Sequence, residues 1–234
     1  MKLSGQLIER AALQQEEIEA MFALMRTFYD DVNRDVFVSD LRDKDYCILL
    51  RNDVSEVVGF STQKIMSFDM DGRMIHGVFS GDTIIHRDYW GSFELYTVFA
   101  RFFFAYAEKY DAFYWFLISK GHKTYRMLPV FFNEFFPCRD KATPEPEQSI
   151  MHGYAARLYP EEYNDRTGVI EYRTVKDKLK MGVADITDKE LRNPDIRFFL
   201  QANPDYAQGD DLVCIARIDM DNLKPRAKAL LFGE

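Results

Sequence analysis

The chain has 234 residues, of which 47% are hydrophobic and 29% charged, and this ordinary globular usage excludes collagen-like and disordered classes. Its formal net charge of −8 argues against a non-specific nucleic-acid binder, which needs basic surface to neutralise phosphates. No apolar run approaches the roughly 18 residues of a transmembrane helix, and no secretory signal is visible. The three cysteines form no CxxC pair, so we expect a cytoplasmic protein in which Cys47, Cys138 and Cys214 are small buried hydrophobes.

The N-terminal part of the chain predicts helices followed by strands. Apolar residues recur at helical spacing over residues 14–32, and a shorter helix is expected over residues 36–42. Three strands are then expected, at residues 46–51, 56–66 and 73–86. Asp71-Gly72 is a hairpin signal between the last two. Gly77 and Gly81 lie inside the third strand, where glycine indicates a bulge or a close backbone approach.

The hydrophobic pattern changes after the third strand. Residues 93–109 are apolar on most of their surface, which predicts a buried helix, with Ser92 as a good N-cap. Residues 113–119 form a continuous aromatic-rich run, which predicts a buried strand. After a turn at residues 119–123, a further helix is expected over residues 129–136, which either begins at Pro129 or is the second half of a helix kinked there. The strand–helix–strand order makes the strands before and after the buried helix parallel, if both join one sheet.

The signals weaken in the C-terminal part. The proline-containing residues 143–146 predict a linker. The remaining expected elements are a strand at residues 168–173, a helix at 194–201 and a strand at 212–218. The element order predicts a mixed α/β fold. We expect a single domain over residues 1–234, with a core over about 1–137 and an extension, 138–234, that packs on or completes the sheet.

Several catalytic motifs are absent, namely GxGxxG after a strand, GxxxxGK[ST], HExxH and GxSxG. No metal is expected either, because no two of the four histidines form a close ligand pair: His76, His86, His122 and His152. Aromatic residues make up 15% of the chain and cluster between residues 93 and 136. An aromatic core is one interpretation of this cluster, and a cavity for an apolar ligand such as an acyl chain is the other.

The predicted order of elements resembles that of the GNAT superfamily of N-acyltransferases. In this order an antiparallel meander of strands leads into a strand, a turn, a buried helix, a strand, a turn and a helix. The resemblance covers residues 46–137. It implies that the strand at 77–86 bulges and splays from the strand at 113–119, and that the pantetheine of a thioester donor threads the gap. It also implies that N–H groups at the N-terminus of the following helix bind the donor's pyrophosphate.

This resemblance implies an acyltransferase acting on a small-molecule amine. The aromatic richness favours a long acyl chain. The donor is expected to be an acyl-CoA or the acyl-phosphopantetheine of an acyl carrier protein, and a non-catalytic GNAT-like module that binds an apolar ligand or a protein partner is the alternative. The phosphate loop departs from the family pattern Q/R-x-x-G-x-G/A, because Trp90, Phe93 and Leu95 stand at its named positions and Gly91 alone agrees. Glu94 adds a negative charge in the first helical turn, where it competes with a phosphate.

The residues expected to bind the donor follow from the same resemblance. They are the strand-end and loop residues Ile84, Ile85, Trp90, Gly91, Ser92 and Phe93. Lys120 and Lys123 belong to a basic cluster at the end of the parallel pair, where α/β ligands collect, and offer a replacement phosphate site. A solvated turn is the alternative interpretation of that cluster.

Three residues are candidates for proton transfer. Asp82 is unusual inside a strand, so we predict either a general base facing the cleft or a carboxylate bonded to backbone at a bulge. His86, at the strand end, is the competing base or a solvent-facing turn residue. Many family members place a general-acid Tyr where this chain has Phe131 or Phe132. Tyr125 is therefore either a replacement acid or a packing residue.

Overall fold

The computed structural model describes residues 3–174 and 177–233. The strands are β1 (Ser4–Glu9), β2 (Tyr29–Asp30), β3 (Tyr46–Arg51), β4 (Val57–Met70), β5 (Arg73–Ile85), β6 (Phe113–Ser119), β7 (Tyr163–Asn164), β8 (Val169–Ile170), β9 (Lys178–Leu179) and β10 (Asp211–Arg217). The helices are α1 (Gln15–Phe28), α2 (Arg34–Arg42), α3 (Glu94–Ala107), α4 (His122–Tyr125), α5 (Met127–Phe131), α6 (Glu145–Leu158), α7 (Pro194–Ala202) and α8 (Pro225–Phe232).

Eight of these strands form one mixed sheet in the order β1-β3-β4-β5-β6-β10-β8-β7. β1, β3, β4 and β5 are antiparallel neighbours, β5 and β6 are parallel, and β10 is antiparallel to β6. The turn between β4 and β5 has positive φ at both Asp71 and Gly72, as its sequence predicts. The expected strand at 212–218 is present as β10, and it places part of the C-terminal extension beside β6.

Side chains of the central strands alternate between two faces of the sheet. In β6, Trp115 and Leu117 pack in a core with α3 and α8, whereas Tyr114 and Phe116 pack in a second core with α6. A third core joins α1 and α2 to β3 and β4. Helices therefore cover both faces, which explains the uninterrupted apolar sequence of β6.

β5 is irregular where it approaches the functional site. Opposite β4, Ser61 pairs with Thr83 and Gln63 pairs with Ser80, so β5 holds one extra residue in this interval. The extra residue is a β-bulge at residues 81–82. The parallel pairing with β6 ends at Ser80 and Leu117, although β5 continues to Ile85. The bulge and the splay implied by the GNAT resemblance are therefore both present.

Gly77 allows β5 and β6 to approach each other closely before they separate. A Cβ atom at this position would lie 2.5 Å from the Tyr114 carbonyl oxygen and equally close to the Phe116 ring. Because real Cβ atoms do not come so near, the parallel pair needs glycine at this position.

The helix predicted over residues 129–136 is present only as far as Phe131, and its second half is wrong. The chain forms two short helices, α4 and α5, the second of which contains Pro129, and it leaves the helical conformation at Phe132. Phe132 and Phe136 form isolated bridges to Leu223 and Ile215. These tertiary backbone hydrogen bonds override the local helical pattern, since they bury the aromatic side chains against the sheet.

The linker predicted at residues 143–146 is also wrong, because α6 begins at Glu145. Pro146 lies in the first helical turn, where proline costs no intrahelical hydrogen bond. The buried residues of α6 cover the second core, and the Tyr154 hydroxyl donates to the Cys214 carbonyl at 2.8 Å. Residues 143–146 are therefore the start of a packed helix.

Other elements differ from expectation mainly in their extent. The first helix ends at Phe28, because Tyr29–Asp30 leaves the helix and pairs with Lys178–Leu179. The strand expected at 168–173 is reduced to Val169–Ile170, and β1 and α8 are not predicted by the sequence. Of the cysteines, Cys47 and Cys214 are buried and Cys138 is half-buried. Among the described residues, no helix has the length and apolar character needed to cross a membrane.

Candidate active site

A cavity of about 350 Å³, here called the splay cavity, opens between the ends of β5 and β6. All eight residues that the sequence predicts for donor binding line it: Ile84, Ile85, Trp90, Gly91, Ser92, Phe93, Lys120 and Lys123. These residues come from the end of β5, the loop before α3 and the turn after β6. The divergence of the two strands therefore brings the three segments around one space.

Further residues of the same segments and residues of distant segments complete the walls of the splay cavity. These additional lining residues are Phe28, Tyr29, Thr83, Tyr96, Gly121, Thr124, Arg126, Met127, Leu179, Val183 and Ala184. None of them is among the predicted donor-binding residues, although Arg126 belongs to the basic cluster at residues 120–126. No local motif marks residues 179–184 as neighbours of α1, and the short β2–β9 pair that joins them is visible only in the fold.

The loop before α3 forms the mouth of the splay cavity. The Trp90 indole Nε1 donates to the Ile85 carbonyl at 2.8 Å, which ties the loop to the end of β5. Gly91 has φ +95°, a backbone conformation that favours glycine. The Lys123 ammonium lies 3.6 Å from the centre of the Trp90 ring and donates to the Val183 carbonyl at 2.5 Å. Partial burial lowers the pKa of Lys123.

Glu94 does not enter the splay cavity, contrary to the expectation that its charge would oppose a bound phosphate. Its Oε1 atom accepts a hydrogen bond from the Gly5 backbone N–H at 2.9 Å. This contact holds the carboxylate against β1, a strand that the sequence did not predict. The Ser92 hydroxyl accepts from the Glu94 N–H at 3.2 Å, although Phe93 occupies the N-cap position itself.

The basic residues around the splay cavity differ in their availability. The Lys120 ammonium donates to the Gly209 carbonyl at 2.7 Å and lies 3.3 Å from Asp211 Oδ2, so it is already engaged. Arg126 also lines the cavity, and within residues 3–174 and 177–233 no hydrogen bond or ion pair engages its guanidinium. Lys123 differs from Lys120 because its protein acceptor is a neutral carbonyl, and among the described residues no carboxylate lies within ion-pair distance of it. Arg126 and Lys123 are therefore the cationic groups suited to an anionic ligand here.

A second, smaller cavity of about 80 Å³, here called the acidic cavity, lies beside the splay cavity. The two share the lining residues Tyr29, Thr83, Lys120 and Thr124. The polar residues specific to the acidic cavity are Asp40, Lys44, Asp82, Tyr159, Tyr172, Asp177 and Asp211. Asp82 thus faces the acidic cavity from the bulge, and it is not among the residues lining the splay cavity.

Asp211 is the most buried carboxylate of this cavity, with 2% of its surface exposed. The Tyr172 hydroxyl donates to its Oδ2 atom at 3.0 Å, and the Lys120 ammonium lies 3.3 Å away. Burial nevertheless raises the pKa of Asp211, because desolvation outweighs these favourable contacts.

Two of the three residues predicted for proton transfer lie outside both cavities. His86 is 40% exposed at its side chain, and its Nδ1 atom accepts from the Asp88 N–H at 3.4 Å. Tyr125 is fully buried among aromatic rings and donates to the Pro137 carbonyl at 2.9 Å, and burial strongly raises its pKa. His86 is thus a turn residue and Tyr125 a packing residue, so neither is retained as a catalytic candidate.

No protein-family model and no curated protein matches the chain. Solved structures with similar folds include an Enterococcus faecalis protein described as a probable N-acyltransferase, at 13% identity and a TM-score of 0.43. They also include the Escherichia coli GNAT family N-acetyltransferase YhbS in complex with CoA (15%, 0.38) and a Trypanosoma brucei acetyltransferase (14%, 0.39).

These matches cover 56%, 51% and 61% of this chain, and 33%, 65% and 98% of the three solved chains, respectively. This chain therefore spans about a third of the Enterococcus faecalis chain and about two thirds of the Escherichia coli chain. The fold itself has the antiparallel meander, the bulge, the parallel pair and the splay that the GNAT resemblance implies. It is a GNAT-like mixed α/β fold.

Proposed function

We propose that this chain is an N-acyltransferase that holds an acyl thioester in the splay cavity and transfers its acyl group to an amine. The observation that carries the proposal is the separation of β5 from β6 beyond Ser80 and Leu117, which opens a cavity of about 350 Å³ beside the bulge. The mostly apolar lining suits an acyl chain and a pantetheine arm.

The proposed donor is an acyl-CoA or the acyl-phosphopantetheine of a carrier protein. The N-terminus of α3, a helix of 14 residues, faces the loop at the cavity mouth and favours an anion. Arg126 and Lys123 supply positive charge for a phosphate. The site has two cationic side chains, and the loop before α3 departs from the phosphate-loop pattern of the GNAT superfamily. Such a site suits a donor with few phosphates, which favours the acyl-phosphopantetheine of a carrier protein.

The proposed reaction begins with an ammonium ion that loses one proton to Asp82, directly or through water. The free nitrogen attacks the thioester carbonyl carbon, so a C–N bond forms and the C–S bond breaks. The leaving thiolate takes up one proton, and the nitrogen releases its second to give an amide, a thiol and one proton in solution. Beyond Ser80, the β5 backbone has no strand partner on the β6 side within the described part of the chain, so its N–H groups there are suited to polarise the carbonyl oxygen.

A thermal-shift panel tests donor binding. We expect CoA, acetyl-CoA, long-chain acyl-CoA or an acyl carrier protein to stabilise the chain, by about 2.7 kcal/mol at 100 times the Kd. Arg126→Ala should weaken binding of phosphate-bearing donors and leave acyl-pantetheine, which lacks phosphate, unchanged. Arg101→Ala, an exposed change on α3 away from the splay cavity, is the matched control. No stabilisation by any thioester would contradict the proposal.

A non-catalytic ligand-binding module is the second candidate function. The placement of His86 and Tyr125 outside both cavities favours it, because of the three predicted proton-transfer residues Asp82 alone then lines either cavity. The two candidates differ in one outcome: the module binds a thioester and forms no amide.

A further inference from the structure

A chain of hydrogen-bonded side chains runs through the sheet from the core to the junction of the two cavities. It consists, in order, of Trp115, Ser80, Gln63, Ser61 and Thr83. The Trp115 indole Nε1 lies 2.8 Å from the Ser80 hydroxyl, and each of the three further contacts is 2.7 Å long. The first four side chains are buried, whereas Thr83 is half-buried and lines both the splay cavity and the acidic cavity. The chain therefore ends at the cavities.

The indole at the buried end sets the direction of every hydrogen bond in this chain. Because an indole N–H can only donate, the Ser80 hydroxyl accepts from Trp115 and directs its own proton to Gln63 Oε1. The Gln63 amide nitrogen then donates to the Ser61 hydroxyl. Ser61 is 1% exposed, and within the described residues its hydroxyl contacts only the Gln63 amide and the Thr83 hydroxyl. Its buried proton therefore goes to Thr83.

The Thr83 hydroxyl accepts this hydrogen bond and keeps its own proton for another acceptor. In the part of the chain that the structure describes, it donates to the Gly81 carbonyl at 3.4 Å, which is longer than the roughly 2.5–3.0 Å of an ordinary O–H···O hydrogen bond. A hydroxyl that accepts a hydrogen bond becomes a better donor, and a chain with one direction adds to this effect. Thr83 thus presents a strengthened donor, weakly engaged by protein, at the junction of the cavities.

The same junction is where the proposed reaction needs the thioester carbonyl. The proposed donor occupies the splay cavity and the proposed base, Asp82, faces the acidic cavity, so the carbon under attack has to lie between them. The bulge interrupts the alternation of side chains along β5, and Asp82 and Thr83 consequently line one cavity together. As the nitrogen attacks, negative charge develops on the carbonyl oxygen, and a fixed donor beside that oxygen stabilises the transition state.

We infer that Thr83 is a catalytic residue whose hydroxyl donates a hydrogen bond to the thioester carbonyl oxygen, and that Gln63 and Ser61 are positioning residues that direct it. The inference rests on the proposed acyl transfer, and it adds a side-chain donor to the backbone N–H groups of β5. The O–H bond of Thr83 stays intact throughout, so the proton balance of the transfer is unchanged.

The ¹³C NMR signal of a bound thioester tests the contact directly. The probe is an octanoyl group labelled at its carbonyl carbon and supplied as octanoyl-CoA and on an acyl carrier protein. Hydrogen bonding to the oxygen moves this resonance to higher chemical shift. The bound signal should therefore lie at lower chemical shift in Thr83→Val, which keeps the shape and lacks the hydroxyl, and Thr83→Ser should restore the wild-type position. Equal positions in wild type and Thr83→Val would overturn the inference.

Single-turnover rates with the small amine L-alaninamide give a second readout. Thr83→Val should lower the rate by roughly 10²–10³, the usual loss when one such donor is removed, with little change in the Kd of the thioester. Thr83→Ser should restore most of the rate. Thr97→Val makes the same change at a half-buried threonine of α3 that is not among the residues lining either cavity, and it should keep the wild-type rate. A weaker Kd for Thr83→Val with a normal rate at saturation would contradict the catalytic role.

The variant Ser61→Ala tests the direction of the chain. It leaves the Thr83 hydroxyl in place and removes the group that donates to it, so the carbonyl resonance should move toward its position in Thr83→Val. The rate should fall by less than in Thr83→Val. Melting temperatures are measured alongside, because a serine with a purely structural role would lower the melting temperature without moving the resonance. A wild-type resonance in Ser61→Ala would overturn the positioning role.

These readouts also separate the inference from the proposed function. A carbonyl resonance that depends on Thr83, with no amide formed from either donor, would support the contact and remove the transfer reaction. Amide formation with the same resonance and rate in wild type and Thr83→Val would keep the reaction and remove Thr83 from it.

Discussion

Asp82 is the residue on which sequence and structure converge most closely. Its low strand propensity marked it in the sequence, and the fold places it in the β5 bulge, on the acidic cavity. The competing base, His86, lies a few residues further along the chain, yet it faces a turn outside both cavities. The bulge thus determines which of two nearby titratable side chains points into the site.

The pair of variants Asp82→Asn and His86→Gln tests this assignment. Asparagine preserves the size and much of the hydrogen bonding of Asp82, so the melting temperature should change little. The single-turnover rate should fall by roughly 10²–10⁴, the usual contribution of a positioned general base. His86→Gln should retain the normal rate. A fully active Asp82→Asn would remove the base from this position, and an inactive His86→Gln beside it would assign the base to the turn.

Other site residues carry no comparable signal in the sequence. Arg126 lies in the basic cluster that the sequence marks, but its neighbours Lys120 and Lys123 are equally basic. The fold alone shows that Lys120 is engaged with Asp211 and that the guanidinium of Arg126 has no protein partner in the described chain. Tyr29 belongs to the predicted helix at 14–32, where a tyrosine is an ordinary apolar position. These roles depend on contacts between segments that are far apart in the chain, and the spacing of apolar residues in the sequence does not predict such contacts.

At the scale of elements, the sequence predicts the central strands and the buried helix well. β3 and β6 have the predicted bounds, and the predicted helix at 93–109 differs from α3 by one or two residues at each end. Their patterns are strong because each is buried over most of its length. Gly81 also indicates the bulge in the sequence. In the fold, a Cβ atom at this position would lie 2.7 Å from the Thr62 hydroxyl oxygen.

The elements that sequence reasoning missed are those defined by tertiary contacts. β1 pairs over six residues with β3 and accounts for the position of Glu94, yet its own sequence lacks clear alternation. α6 begins with two prolines near its N-terminus, which indicate a linker when considered without the neighbouring core. The segment after α5 is helical by pattern but is extended, because it pairs with β10 and with the chain before α8.

At the scale of the whole molecule, the C-terminal extension is part of both the sheet and the site. β10 lies between β6 and β8, and Leu179, Val183 and Ala184 form a wall of the splay cavity. Val213 and Ile215 of β10 pack in the core beneath α6. Separating the extension from the N-terminal part would expose the edge of β6 and apolar surface on both faces of the sheet.

We therefore expect the chain to fold as a single domain. Limited proteolysis near Pro144 should be slow, because α6 begins there and packs on the sheet, and a cut chain should remain associated under native conditions. Gel filtration of the digest should give one peak that contains both fragments. Two fragments that separate and each retain cooperative thermal unfolding would contradict the single-domain proposal.

The central claim is that the space between the splayed strands holds an acyl thioester for transfer to an amine. The most direct measurement is a single-turnover reaction of the purified chain with a radiolabelled acyl thioester, supplied as acyl-CoA and as acyl carrier protein, and an excess of L-alaninamide. We expect a labelled amide to form with the wild-type chain, and we expect the rate of its formation to fall by roughly 10²–10⁴ with Asp82→Asn. Thioester bound without any labelled amide, with either donor, would contradict it.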